Sequence, residues 1–90
     1  PKAGNMDSDR ETGYYIETML EAMYLHKKIE FQYTEVNEKL QKVLRIEGKK
    51  YSLNLYEIYW SDNTYYLIGA HDHYDRLTSY RLDRIENLER

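Results

Sequence analysis

The sequence contains no cysteine. That excludes disulfides, thiolate nucleophiles and zinc sites built on thiolates, and it fits a reducing compartment, so a cytoplasmic location is expected. Its glycines, Gly4, Gly13, Gly48 and Gly69, are scattered, which rules out a glycine-rich phosphate loop. No apolar run approaches the length needed to span a bilayer, and no signal-peptide pattern opens the chain, so no membrane partner is expected. A basic excess is lacking too. The formal net charge is −3, all of it from residues 1–35, while the remainder is neutral. A domain that grips duplex DNA mainly by phosphate neutralisation needs the opposite balance, although a local basic pocket stays open. No Ser/His/Asp order stands out among the acids, so neither an enzyme nor a bound cofactor is expected.

What the chain does have is tyrosine: 11 of them, against one Phe and one Trp. A tyrosine packs its ring while keeping its hydroxyl wet, which suits half-buried strands and binding surfaces alike. At 90 residues the chain holds one domain, with residues 1–10 expected as a flexible lead-in and residues 11–90 as the folded unit. The opening Pro1-Lys2-Ala3-Gly4-Asn5 is not a natural initiator, so the chain is expected to be a piece of a longer protein.

Periodicity divides the folded unit. Ile16, Leu20, Met23 and Tyr24 recur at helical spacing, which predicts a helix from about Glu11 to Leu25 capped by Ser8 or Asp9. The period then drops to two. Ile29, Phe31 and Tyr33 alternate with polar residues, Leu40 and Val43 to Ile46 suggest a second strand, and Gly48-Lys49-Lys50 reads as a turn. Tyr51, Leu53 and Leu55 lie on one face but Ile58 and Trp60 on the other phase, which predicts a bulge near Tyr56-Glu57. Ser61-Asp62-Asn63-Thr64 is a hairpin turn. Tyr65 to Ala70 is apolar throughout and is expected to be covered on both faces. His71 to Asp75 reads as a polar loop, Leu77 to Leu82 as a last strand, and Asp83 to Arg90 as a short helical tail. The expected fold is α+β, mostly β: one N-terminal helix and about five antiparallel strands in meander order, closing a small SH3-like or Sm-like barrel.

Two clusters carry chemistry. His71 and His73 would share a face on a strand and could ligate one ion, with Asp75, Glu57 or His26 as the third ligand. Nothing in the spacing selects that third ligand, the segment equally reads as a solvated loop, and no metal is expected. The second cluster is basic. Arg76, Arg81 and Arg84 stand close to Tyr65, Tyr66, Tyr74 and Tyr80, and guanidinium forks beside aromatic faces suit phosphates and unstacked bases. The alternative is a surface strand whose arginines pair with Asp75, Asp83 and Glu86. Strict alternation puts Arg76, Tyr80 and Arg84 on one face and Arg81 on the other, and if the interior takes Tyr80 and Leu82, Arg81 points outward.

Residues 14–88 resemble the WYL domain of bacterial helix-turn-helix transcriptional regulators. The residues that carry the resemblance are Leu20-Glu21-Ala22-Met23, Ile29-Glu30-Phe31-Gln32-Tyr33, the namesake segment as Tyr65-Tyr66-Leu67, and the closing run Tyr80-Arg81-Leu82-Asp83-Arg84-Ile85. The chain departs from the pattern at Tyr65, where Trp is usual, at Leu55, where Pro is common, and at Tyr80, where Phe is frequent. The resemblance implies an Sm-like barrel that senses a ligand for a covalently linked DNA-binding domain. The ligand it implies is a nucleic acid, single-stranded DNA in some members, or another anionic molecule. Carried onto this sequence, it implies ligand-binding roles for Tyr33, Tyr65, Tyr66, Arg81 and Arg84; charge and proximity add Arg76. Asp83 is expected to orient an arginine. The rival expectation is a protein-interaction module that forms a homodimer through its helix or a strand edge and takes no ligand.

Overall fold

The computed structural model describes residues 2–90. Its elements in chain order are the helix α1 (Lys2–Leu25) and the strands β1 (Ile29–Val36), β2 (Lys42–Leu44), β3 (Lys50–Ser61), β4 (Thr64–Ala70), β5 (Thr78–Arg81) and β6 (Ile85–Glu89). The architecture is α+β and mostly β, an antiparallel sheet curled into a half-barrel, as the sequence leads one to expect. One feature of that expectation changes, the strand order. There are six strands, and their order is not a meander: the sheet runs β2-β1-β3-β4-β5, and β6 returns to pair with β1. β1 is thus the hub, joined to β3 over Ile29–Gln32, to β6 over Glu30–Tyr33 and to β2 over Thr34–Val36.

The helix starts at Lys2, so Ser8 and Asp9 lie inside it and do not cap it at Glu11. No proline interrupts Lys2 to Leu25, and Gly4 and Gly13 each weaken a helix by only about 1 kcal/mol. Its buried stripe is also turned from the expected one. Tyr15, Met19 and Ala22 are buried with Ile16 and Met23 on their flank, whereas Leu20 is 55% and Tyr24 83% exposed. Offsets of four and seven make this stripe as regular as the other, and the small side chain of Ala22 lets the backbone approach the sheet. The helix ends where His26 adopts φ 55. Lys27 N–H then donates to Ala22 O (2.8 Å) and His26 N–H to Met23 O (3.2 Å), the paired bonds of a Schellman ending.

The β3–β4 hairpin matches its sequence closely. Asp62 and Asn63 both take left-handed backbone, φ 49 and 64, which matches the right-handed twist of the strands they join. Register slips between Leu55 and Glu57, so the inward phase passes from Tyr51, Leu53 and Leu55 to Ile58, as the pattern predicts. β4 differs: Leu67 and Gly69 are buried, but Tyr66, Ile68 and Ala70 are only half-buried. Its core face alone is closed, and tyrosine tolerates the half-wet outer face.

The C-terminal segment is not helical. A 3-10 turn, Leu82–Arg84, leads into β6, whose Ile85 and Leu88 are both buried. A three-residue spacing is helical in a sequence reading. Here a bulge produces it: Glu86 to Glu89 spans the partners Gln32 to Glu30, with Asn87 at φ 53.

A cationic-aromatic site at one end of the half-barrel

Alternation along three strands aims four rings inward: Phe31 and Tyr33 from β1, Tyr51 from β3 and Tyr80 from β5, all buried. Tyr33 and Tyr80 meet edge to face with centroids 5.0 Å apart, Phe31 meets Tyr80 at 5.1 Å, and Phe31 stacks on Tyr51 at 5.8 Å. Their hydroxyls set the polar contacts of the site. The Tyr33 hydroxyl accepts the Arg81 backbone N–H at 3.0 Å, and so ties β1 to β5 where no ladder joins them. The Tyr80 hydroxyl lies 2.6 Å from His71 Nε2, and His71 Nδ1 lies 2.7 Å from Ser52 O. A carbonyl can only accept. Nδ1 therefore carries the proton, and Nε2 accepts from Tyr80. Burial pushes the Tyr80 hydroxyl above its ordinary range, which keeps that donor in place. The Tyr51 hydroxyl is buried with no partner among the described residues.

Three cations sit on these rings. The Arg45 guanidinium carbon lies 5.9 Å from the Tyr33 centroid and 5.8 Å from that of Tyr51, Lys49 Nζ lies 5.2 Å from Tyr51, and Arg84 lies 5.4 Å from Tyr33. Arg84 reaches Tyr33 because the 3-10 turn Leu82–Arg84 brings the chain round after β5. Among the described residues, the cations paired with carboxylates are Lys28 with Asp72, Lys42 with Glu86, Arg81 with Asp83 and Arg90 with Glu21. Arg45, Lys49 and Arg84 have no such partner. A cleft of 630 Å³ continues from Tyr51 and is lined by Lys49, Lys50, Ser52, His71, Tyr74 and Arg76. Its volume lies within the range of small-ligand sites.

The residues expected to bind ligand divide on this geometry. Tyr33 and Arg84 are in the site, and Arg76 lines the adjoining cleft. Tyr80 and Leu82 do point inward, so the Arg81 side chain points out. There it forms a two-pronged pair with Asp83, Nε to Oδ1 at 3.0 Å and Nη2 to Oδ2 at 2.7 Å. That hydrogen bonding holds the Asp83 carboxyl below its ordinary range and raises the guanidinium further. Arg81 lies across from Tyr66, and Tyr66 across from Tyr59, on which it stacks at 5.2 Å. Tyr65 packs inward against Trp60 at 4.7 Å. Arg45, Lys49, Tyr51 and His71 were not among the expected ligand residues. A usable signal did exist for the first three: two cations four positions apart bracket the Gly48 turn immediately before an inward tyrosine. His71 and His73 do not share a strand face. Both ring nitrogens of His71 are engaged, His73 is on left-handed backbone at φ 69, and no metal-holding group of three His, Asp or Glu occurs among the described residues.

The WYL-domain family model matches residues 14–90. The chain belongs to the WYL-domain family. Such domains are generally found in bacterial regulators and in ligand sensing. No curated protein and no solved structure matches this WYL domain. Among its described residues, no helix is long and apolar enough to cross a membrane.

The Tyr80 bond gives a direct test of the frame. Tyr80→Phe leaves His71 Nε2 without its donor and is expected to lower stability by about 1–2 kcal/mol. That corresponds to a fall in Tm of several degrees for a domain of this size. The sign of the pH effect follows from the raised hydroxyl. Its contribution is complete below the unfolded value near pH 10 and is lost as pH rises through the folded value. Thermal melts from pH 8 to 11 should therefore show a smaller alkaline decline in Tyr80→Phe than in the parent. An equal decline in both would remove Tyr80 as its source. Tyr15, also raised by burial, supplies the residual slope.

Proposed function

We propose that this WYL domain is the ligand-sensing part of a cytoplasmic bacterial transcription regulator, and that its ligand is a single-stranded nucleic acid or a similarly phosphate-bearing anion. The observation that carries this reading is the set of Arg45, Lys49 and Arg84 on the faces of Tyr33 and Tyr51, none of them in a salt bridge among the described residues. Cations stacked on rings keep their N–H groups free for phosphate, and a single strand offers backbone and unstacked bases together. In the cleft, Tyr74 is 70% exposed and offers a ring whose edge-to-face neighbour is His71 at 6.4 Å. A net charge of −3 argues against duplex gripping and does not oppose a local site. A ligand bound here ties together the turn before β3 and the turn after β5, and biases how the domain meets a linked DNA-binding domain. Its effect is limited to its difference in affinity between the two arrangements.

The test is a fluorescence anisotropy titration of labelled single-stranded oligothymidylate of about twelve nucleotides, a length within the range of known single-strand sites. Repeated from 50 to 200 mM salt, log affinity should fall against log salt with a slope of about −2. That follows from about −0.7 for each of three phosphates held on a single strand. No binding at 50 mM salt, or an affinity indifferent to salt, overturns the reading.

A further inference from the structure

The segment between β4 and β5, residues 71–77, supplies His71, Tyr74, Arg76 and Leu77 to the cleft beside Tyr51. It lies between the runs that carry the family resemblance and belongs to neither. The rings at the end of the half-barrel are already occupied. Tyr33 and Tyr51 are buried and hold cations on their faces. Tyr74 is the opposite case. It is 70% exposed, and its contact with His71, edge to face at 6.4 Å, takes at most one of its two faces.

This exposed ring stands on an anchored turn. His71 reaches Ser52 O on β3 and the Tyr80 hydroxyl on β5, and Asp72 pairs with Lys28 just ahead of β1. The Tyr74 N–H closes the turn onto His71 O at 3.2 Å. Little backbone freedom is left for a ligand to remove, and that favours binding. The chemistry around the ring is mixed in a particular way. Lys49, Lys50 and Arg76 line the cleft and no acid does, in a chain whose acids outnumber its lysines and arginines. Ser52 and Thr78 add two hydroxyls. A bare phosphate would use the cations and leave the ring and the hydroxyls without a role. A nucleotide uses all three: its base has a flat face for Tyr74 and a polar edge for the hydroxyls, and its phosphates meet the cations. We propose that this cleft is a nucleobase subsite, in which one unstacked base lies against Tyr74 while Lys49 and Arg76 hold its flanking phosphates. The assignment rests on the anion-binding reading above and narrows the ligand to one that carries bases.

The test titrates the full chain at 50 mM salt with the same oligothymidylate and with an abasic strand of equal length, which keeps every phosphate and has no bases. The parent should bind oligothymidylate at least about tenfold more tightly than the abasic strand. Tyr74→Ala should weaken oligothymidylate binding about tenfold, as expected for the loss of one stacked base, and change abasic binding less than about twofold. Tyr74→Phe keeps the ring and should bind both strands as the parent does. Equal affinity of the parent for the two strands overturns the inference. So does an oligothymidylate affinity unmoved by Tyr74→Ala, a loss that is equal on both strands, or a Tyr74→Phe protein as weak as Tyr74→Ala; in each of these cases the anion reading survives alone. If the parent binds neither strand, both fall.

Discussion

Gly69→Ala is expected to leave the domain largely unfolded at 25 °C. A Cβ at this position would stand 2.3 Å from the backbone oxygen of Asn54 and 2.7 and 2.9 Å from Cγ and Cδ2 of Leu53. Neither neighbour can yield cheaply. Asn54 is laddered to Ala70 on one side of the bulge, and Leu53 is completely buried. Relief therefore requires β3 and β4 to separate at the bend that lets the sheet curl. Overpacking of flexible side chains costs about 1–3 kcal/mol, and a clash with backbone exceeds that range. A domain of this size has only about 5 kcal/mol to lose. The glycine is not at positive φ, so the requirement is for space and not for conformation. Gly13→Ala is the matched control: nothing lies within 4 Å, and a helix gains up to about 1 kcal/mol from the change. Circular dichroism melts should show the two alanines moving Tm in opposite directions. A Gly69→Ala protein melting within a few degrees of the parent would show that the two strands are free to separate there.

The same bend shows where the sequence was readable. Period two along Tyr51, Leu53 and Leu55, broken before Ile58, is a covalent record of the bulge, because an extra residue must flip the phase. Asp62-Asn63 encoded its hairpin as directly. The β6 segment was opaque for the converse reason: a strand bulge at Asn87 gives Ile85 and Leu88 the spacing of a helix, and only the pairing with β1 distinguishes the two. The helix face failed differently. Ile16, Leu20, Met23, Tyr24 and Tyr15, Met19, Ala22 are both acceptable stripes in an aromatic-rich helix, and the sheet selects between them.

Legibility of the site followed sequence distance. Arg84 and Tyr33 were visible because they lie in runs with family character. Arg45 and Lys49 belong to a turn whose left-handed residues, Ile46 and Glu47, carry no turn chemistry, so the only local sign that both cations fold onto Tyr51 is their bracketing of Gly48 just before that ring. The alternation of Tyr80, Arg81 and Leu82 did announce that Arg81 would face out, but not that Asp83 would occupy its whole fork.

That difference between arginines leads to the second large effect. Arg45→Ala with Arg84→Ala should weaken oligothymidylate binding about 100-fold at 50 mM salt. Each guanidinium–phosphate contact is worth about 1.5 kcal/mol at the low end for charge-assisted bonds, and about 1.4 kcal/mol is tenfold in affinity. The salt slope should shrink by about 1.4, the share of two phosphates on a single strand. Stability should fall only slightly, because a cation on a partly exposed ring contributes about 0.5–1 kcal/mol. Arg81→Ala should bind within about threefold of the parent. Its charge is already matched by Asp83, and deleting it exposes that carboxylate on the outer face beside Tyr66, away from the inward rings. The two variants thus separate two surfaces of one sheet. If Arg81→Ala costs as much as the double variant is expected to, and the double variant binds normally, the ligand lies on the Tyr59–Tyr66 outer face. In that case the cations around Tyr33 and Tyr51 would serve only to cover the open end of the half-barrel.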